Sequence, residues 1–289
     1  MKINGKKIAN YLLSLIKKKI AALKKKKTLQ LSVFLVGKNP DQLSFVQIKA
    51  ETAKKLGVGF RLIHLKKIPS FETFVNLIKN ESNDKKTTGI IIQQPLPAQL
   101  STESIYDYIA NNKEIEGHKK KSPFIPPIGL AVLTLTKHIY GGQKLNQNLL
   151  ITPQDINSRF FKKIFKNKKI VLIGRGLTGG LPIGKTLNQA GINYININSQ
   201  TPSPENYYQE ADIIITAVGK KILTPAVLKK GVVLINVGLH RENGKLKGDY
   251  DEKEIKDIAS FYTPTPGGVG PIDVAYLFNN LVEAAKLQR

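Results

Sequence analysis

Seven short apolar, β-branched runs, at 31–36, 60–65, 89–93, 169–173, 194–198, 212–217 and 232–237, constrain this chain more than any other feature. Several are apolar on both faces, as in Gly89-Ile-Ile-Ile-Gln93 and Asp212-Ile-Ile-Ile-Thr216. A strand with one wet face alternates apolar and polar residues, whereas a strand covered on both sides does not. Stretches at 43–56, 71–79 and 181–190 carry helical spacing and supply that covering. Buried strands that alternate with helices predict an α/β protein built on parallel sheets.

With 289 residues the chain suits two modest α/β domains or one large one. The segment from Gly117 to Gly129, GHKKKSPFIPPIG, concentrates charge, proline and glycine and suits an inter-domain crossing. A second crossing, Thr263-Pro-Thr-Pro-Gly-Gly-Val-Gly-Pro271, precedes a helix expected over 272–286. Two crossings return the last helix to the first domain. The predicted division is 1–125 with 264–289 as one domain, and 126–263 as a Rossmann-type dinucleotide-binding domain. Near the start, Ile8, Leu12, Ile16, Ile20 and Leu23 recur as on a helix packed against a core. The polar stretch at 144–167 is expected to be an irregular surface excursion.

Composition removes several chemistries. The chain has no cysteine, so disulfides, thiol nucleophiles and thiolate metal sites are excluded. None of the four histidines, His64, His118, His138 and His240, sits at HxxxH or HExxH spacing, and no metal is predicted. The net charge of +24 would suit a nucleic-acid or membrane-surface partner. Its lysine runs, at 17–19, 24–27 and 119–121, are scattered and lack interleaved aromatics. They read as a solvated surface, without a nucleic-acid partner, whose field attracts anionic substrates. The apolar stretch at 8–16 is too short to span a bilayer and no small-residue cleavage site follows it, so a cytoplasmic location is expected.

One motif carries chemistry in the second half. The run 169–173 leads directly into Gly174-Arg-Gly176-Leu-Thr-Gly179-Gly180, and a helical pattern follows at once. Three spaced glycines alone are a weak signal, but a strand before and a helix after make a dinucleotide loop. Glycine lets the backbone approach a pyrophosphate, and the helix start offers free N–H groups. The next run ends Asn196-Ile-Asn198-Ser199-Gln200, with no acid to receive ribose hydroxyls. Ser199 tolerates a 2′-phosphate and Arg175 attracts one, which favours NADP over NAD. Val218-Gly219 and Val237-Gly238 place small residues at two further strand ends, where a nicotinamide ribose could approach.

In the first half, Asn39-Pro40 opens a helix on which Phe45 and Lys49 share a face. A lysine beside an aromatic ring, partly out of water, is suited to acid–base work. Gly89–Pro97 ends a buried strand in two amides, Gln93 and Gln94, at the place where α/β proteins bind ligands. Proline at 95 and 97 accounts for the end of the strand but not for the glutamines.

Together these stretches resemble the bifunctional methylenetetrahydrofolate dehydrogenase/cyclohydrolase family. Val36-Gly-Lys-Asn-Pro with Lys49, Gly89–Pro97, Lys113-Glu-Ile-Glu-Gly117, Pro126-Pro-Ile-Gly129, Gly174–Pro182, Asp212 with Val218-Gly219, Val237-Gly238 and Thr263–Pro271 follow the family's order. The resemblance implies that Lys49 is the catalytic lysine, with Gln93 tuning its protonation. It places Phe45 and Glu116 at the pterin, and Pro266, Gly267 and Gly268 where substrate and nicotinamide meet. Gly174, Arg175 and Gly176 would take the cofactor phosphates, Ser199 the adenosine ribose, and Val218, Gly219 and Gly238 the nicotinamide side. The activity implied is NADP-dependent oxidation of 5,10-methylenetetrahydrofolate, then hydrolysis to 10-formyltetrahydrofolate, by a homodimer acting on tetrahydrofolate one-carbon derivatives.

Four positions depart from the family's pattern. Phe45 replaces a tyrosine, Glu116 an aspartate, Asn236 an aspartate and Asp273 a threonine. Asp273 has a second explanation, because negative charge is favourable in a helix's first turn. The competing readings are a monofunctional dehydrogenase with weak or lost cyclohydrolase activity, and a non-catalytic basic scaffold that binds nucleic acid.

Overall fold

A computed structural model of the chain describes residues 1–24, 28–156 and 158–288; of the lysine run at 24–27, residues 25–27 lie outside the described residues. The chain divides into two compact units, one of Leu13–Pro127 with residues from Val274 onward, the other of Met1–Leu12 with Ile128–Asp273. The first twelve residues thus group with the second unit rather than with the residues that follow them.

The first unit holds β1 (Gln30–Val36), α2 (Pro40–Leu56), β2 (Gly59–Leu65), α3 (Phe71–Asn83) and β3 (Gly89–Ile92), after most of α1 (Gly5–Lys24). Its sheet is wholly parallel in the order β2-β1-β3, with Leu31 opposite both Phe60 and Gly89. All four residues of β3 are buried, as its unbroken apolar run requires. Helix α2 starts because the Asn39 side chain accepts from the N–H groups of Asp41 and Gln42, with Pro40 in the first position. It stops at Gly57, whose φ of 66° suits glycine and whose N–H reaches the carbonyls of Ala53 and Lys54. Phe34 and Phe74 meet edge to face at 5.8 Å within a core that includes Ile78, Ile90 and Ile92.

The second unit carries α4 (Pro127–Tyr140), α5 (Arg159–Phe165), β4 (Ile170–Ile173), α6 (Gly180–Gln189), β5 (Ile195–Ile197), α7 (Pro204–Glu210), β6 (Ile213–Thr216) and β7 (Val233–Asn236). A hairpin of β8 (His240–Glu242) and β9 (Lys245–Lys247), then α8 (Glu252–Ile255) and β10 (Phe261–Tyr262), complete it before α9 (Val269–Leu287) begins. Its parallel sheet runs β10-β7-β6-β4-β5. The winding direction reverses between β4 and β6, which makes the carboxyl ends of those strands the ligand-binding edge. At the hairpin tip Asn243 and Gly244 have φ of 50° and 74°, the paired positive angles of a two-residue turn.

Three expectations need correction. Helix α9 starts at Val269 rather than 272, because Pro271 falls in its first turn, where a missing N–H costs nothing. Asp273 is therefore past the first turn, and the helix dipole does not account for it. The stretch at 144–167 is not a surface excursion: it contains two 3-10 turns and α5, and it buries Leu149, Leu150, Ile151, Ile156 and Phe161. Its polar residues disguised a set of apolar anchors spaced too irregularly for one period.

Helices α4 and α6 cross where Gly129 faces Thr186. A Cβ added at Gly129 would lie 2.0 Å from the Thr186 hydroxyl oxygen, and that hydroxyl is already bonded to the Pro182 carbonyl at 3.0 Å. Gly129→Val should destabilise the protein by about 2 kcal/mol, the usual scale of overpacking, in chemical denaturation. A midpoint equal to the parent's would refute the crossing. Among the described residues no helix is long and apolar enough to cross a membrane.

Candidate active site

Two sets of side chains gather at the carboxyl ends of the two sheets, one in each unit. In the first unit Phe45 and Lys49 lie one turn apart on α2, both half-buried. The Lys49 Nζ donates to Gln93 Oε1 at 2.6 Å, a short bond of the charge-assisted kind. Gln93 is placed by the sheet, since its backbone N–H donates to the Phe34 carbonyl and its side chain is buried at the exit of β3. Its Nε2 donates to the Gln94 carbonyl at 2.9 Å, so the amide can turn only its oxygen to the lysine.

Gln94 continues the arrangement. The Gln94–Pro95 peptide is cis, the Gln94 Oε1 accepts from the Leu96 N–H at 2.9 Å, and its Nε2 donates to the Tyr106 hydroxyl at 2.9 Å. Gln42, in the first turn of α2, donates from Nε2 to the Pro95 carbonyl at 2.5 Å. The two consecutive glutamines thus have separate tasks, one facing the lysine and the other bracing the loop. Glu116 sits further along the same unit, with its N–H bonded to Glu114 Oε1 at 2.9 Å and its Oε2 3.8 Å from His118 Nε2. The family resemblance pointed to Lys49, Gln93 and Glu116, and nothing in the sequence pointed to Gln42, Tyr106 or His118, which lie in the same unit. An aromatic side chain twelve positions from its partner has no periodic signal to betray it.

In the second unit β4 is followed by Gly174, whose φ of 114° is a glycine conformation and whose N–H donates to the Ile197 carbonyl at 2.9 Å. Gly180 opens α6 so close to this turn that a Cβ there would lie 2.2 Å from the Gly174 carbonyl oxygen. Nothing stands within 4 Å of where a Gly176 Cβ would be. Gly180 is thus required by the protein's own packing, while Gly176 leaves open space over a helix N-terminus, which fits a phosphate group. Arg175 is exposed, and its Nε donates to Asn196 Oδ1 at 3.0 Å. Asn196 in turn donates to the carbonyls of Leu172 and Gly174, so β5 holds the arginine beside the strand end from which exposed Ser199 follows.

The ends of β6 and β7 are joined by a buried carboxylate that sequence reading did not single out. The Asp249 side chain accepts from the backbone N–H groups of Val218, Gly219 and Lys220 at 2.9–3.1 Å. Burial holds its carboxyl above the usual aspartate value, with the three amides acting in the opposite direction. Gly238 packs against it so tightly that a Cβ would lie 2.3 Å from the carboxylate oxygens. Asn236 connects the parts: its Oδ1 accepts from Thr216 Oγ1 and the Asp249 N–H, and its Nδ2 donates to the Gly238 carbonyl and Thr265 Oγ1.

Thr265 leads into the Pro266, Gly267, Gly268 turn. The Thr265–Pro266 peptide is cis, Gly267 has φ of 104°, and a Cβ on Gly268 would lie 2.6 Å from the Pro264 carbonyl oxygen. The Thr265 N–H donates to Glu252 Oε1, Glu252 pairs with Lys2 at 2.8 Å, and the Lys6 N–H donates to the Gly267 carbonyl. Among the described residues no group of three or more His, Asp or Glu side chains could hold a metal ion.

A family model described as "Tetrahydrofolate dehydrogenase/cyclohydrolase, catalytic domain" matches residues 3–116, and one described as "Tetrahydrofolate dehydrogenase/cyclohydrolase, NAD(P)-binding domain" matches residues 156–289. The chain is 33% identical over 299 aligned positions to the bifunctional protein FolD of Staphylococcus aureus, covering 99% of this chain and 97% of that protein. A FolD methylenetetrahydrofolate dehydrogenase/cyclohydrolase structure from Campylobacter jejuni superposes with a TM-score of 0.85 at 28% identity, over 100% of this chain and 99% of that one. A 5,10-methylenetetrahydrofolate dehydrogenase from the silkworm Bombyx mori gives 0.83 at 27% identity, over 99% and 97%.

Proposed function

This chain belongs to the tetrahydrofolate dehydrogenase/cyclohydrolase family, and from that membership we propose that it oxidises 5,10-methylenetetrahydrofolate with NADP⁺ and hydrolyses the resulting methenyl cation to 10-formyltetrahydrofolate. The observation that carries this reading is the 2.6 Å bond between Lys49 and Gln93 in the unit that contains most of the catalytic-domain match.

The bound dinucleotide supplies the hydride acceptor. Gly174, Gly176 and the start of α6 would hold its phosphates, Arg175 and Ser199 its adenosine ribose 2′-phosphate, and the loops at Val218, Gly219 and Gly238 its nicotinamide side. The absence of an acid after β5, together with an exposed arginine anchored there, supports NADP over NAD. Loss of hydride from the methylene bridge demands orientation above all, and Glu116 would orient the pterin.

Hydrolysis asks more of single side chains. As water adds to the methenyl carbon it sheds one proton; when the carbon–N5 bond breaks, the new hydroxyl gives up its second proton to form the carbonyl and N5 takes one up, so that one proton is released overall. Lys49 as the free amine can take the proton that the adding water sheds, and the ammonium so formed, which donates to Gln93 Oε1, can return a proton to N5. Phe45 brings no hydroxyl to that side, so in this chain the proton movements rest on Lys49 and Gln93.

Purified protein should reduce NADP⁺ with 5,10-methylenetetrahydrofolate and hydrolyse the methenyl compound above background. Arg175→Ala should raise KM for NADP⁺ about tenfold, the equivalent of one lost charge-assisted contact, and leave KM for NAD⁺ unchanged. An equal loss for both cofactors would remove Arg175 from 2′-phosphate recognition. Dehydrogenase turnover with background hydrolysis only would favour a monofunctional enzyme, for which the missing hydroxyl at Phe45 is the supporting observation. The family resemblance further supports a cytoplasmic homodimer without a nucleic-acid partner; sedimentation at two or more concentrations and a salt-dependent RNA-binding assay test these points.

A further inference from the structure

We propose that Tyr106 and His118 are positioning residues that hold the Glu116 carboxylate for the pterin ring, an inference that rests on reading Glu116 as a pterin contact. The two aromatic rings stack at 4.3 Å between centroids, 23° from parallel. Tyr106 is 4% exposed, and its hydroxyl receives the Gln94 Nε2 at 2.9 Å. Gln94 is itself fixed by the Leu96 N–H, so the tyrosine ring is pinned at both its face and its tip. His118, with 9% of its side chain exposed, lies on that ring and brings Nε2 to 3.8 Å from Glu116 Oε2.

A glutamate has one more rotatable bond than an aspartate, and each extra bond left free lowers the fraction of time its carboxylate is correctly placed. The Glu116 backbone is already tied to the buried Glu114 carboxylate through its N–H. His118 supplies the second point, at the far end of the side chain: at 3.8 Å its Nε2 acts on the Glu116 carboxylate as an ion pair when the imidazole is protonated, which favours the placement that the longer residue would otherwise lose. The same contacts form a continuous series, Lys49 to Gln93 to Gln94 to Tyr106 to His118 to Glu116. The acid–base group and the pterin contact are thereby set relative to each other within one unit. Burial, and next the charge of Glu116, push the Tyr106 phenol well above its usual range, so it stays neutral beside the carboxylate.

A double-mutant cycle tests this. His118→Phe keeps the stack on Tyr106 and removes the nitrogen that faces Glu116. It should raise KM for 5,10-methylenetetrahydrofolate about fivefold to tenfold, the range of one partly buried polar contact, with kcat and KM for NADP⁺ within about twofold. Glu116→Gln should raise the same KM, and the double variant should be little worse than Glu116→Gln alone, because the two changes remove one interaction. The His118 ring resonances should move in Glu116→Gln, a readout independent of turnover. Multiplying effects, or a His118→Phe variant with parental KM, would overturn the positioning role while leaving Glu116 as a pterin contact. A Glu116→Gln variant with parental KM would overturn the reading of Glu116 itself. Should His118→Phe fail to fold, His118→Leu, which also removes the nitrogen, enters the same cycle with the same criteria.

Discussion

Lys49→Met should lower methenyl hydrolysis by about 100-fold or more, the contribution of a positioned acid–base group, while dehydrogenase kcat stays within about tenfold. Methionine keeps the apolar stem of lysine and its helix propensity, so α2 should be undisturbed. What it removes is the ammonium that donates to Gln93 Oε1 at 2.6 Å, and with it the group able to exchange a proton with water and with N5. Hydride loss involves no proton transfer to protein, which is why the two activities should separate. Stopped-flow decay of the methenyl chromophore, run beside NADP⁺ reduction, measures both. Unchanged hydrolysis would place the acid–base work elsewhere; equal loss of both activities would make Lys49 a substrate-binding residue.

Asp249→Ala should have the largest effect on stability, about 3 kcal/mol, because removal of a carboxylate that binds three backbone N–H groups leaves them partly unpaired. The same substitution should raise KM for NADP⁺, since Val218 and Gly219 lose the anchor of their loop. The pH dependence has a definite sign. Burial raises the Asp249 pKa above the ordinary value of 3.8, so the folded protein takes up this proton more readily than the unfolded chain. Its contribution is fully present below the unfolded pKa and is lost as pH rises through the folded pKa. The advantage of the parent over Asp249→Ala should therefore grow as pH falls through the acid range toward 3.8. Denaturant titrations at several pH values will show it, and an advantage that shrinks on acidification would contradict the assigned burial effect.

How much of this was legible beforehand depended on whether the signal was local. Strands β1, β3, β4, β6 and β7 appear in the sequence as apolar runs because both their faces are covered, and the observed ends fall within a residue of the expected ones. Edge elements were harder: β10 is two residues long, and the hairpin of β8 and β9 is announced only by Asn243-Gly244, a turn signal that went unread. The family resemblance pointed to Lys49 and Gln93, whereas nothing in the spacing of Tyr106 and His118, or of Asn236 and Asp249, indicates that they meet. These contacts come from the convergence of strand ends, a tertiary fact with no period. The start of α9 was misplaced because glycine and proline within 267–271 read as loop, although proline is tolerated in a first helical turn.

Asn236 has a consequence for how this sequence can drift. Its oxygen accepts twice and its nitrogen donates twice, so the amide is fully occupied. Thr265 could reverse its hydroxyl to suit a carboxylate at 236, but the Gly238 carbonyl can only accept and would then face another acceptor. A single step from asparagine to the family's aspartate is blocked unless the backbone at 238 first finds a different donor. Position 236 and its neighbours can therefore exchange states only in a particular order, and Asn236→Asp introduced alone should be destabilising.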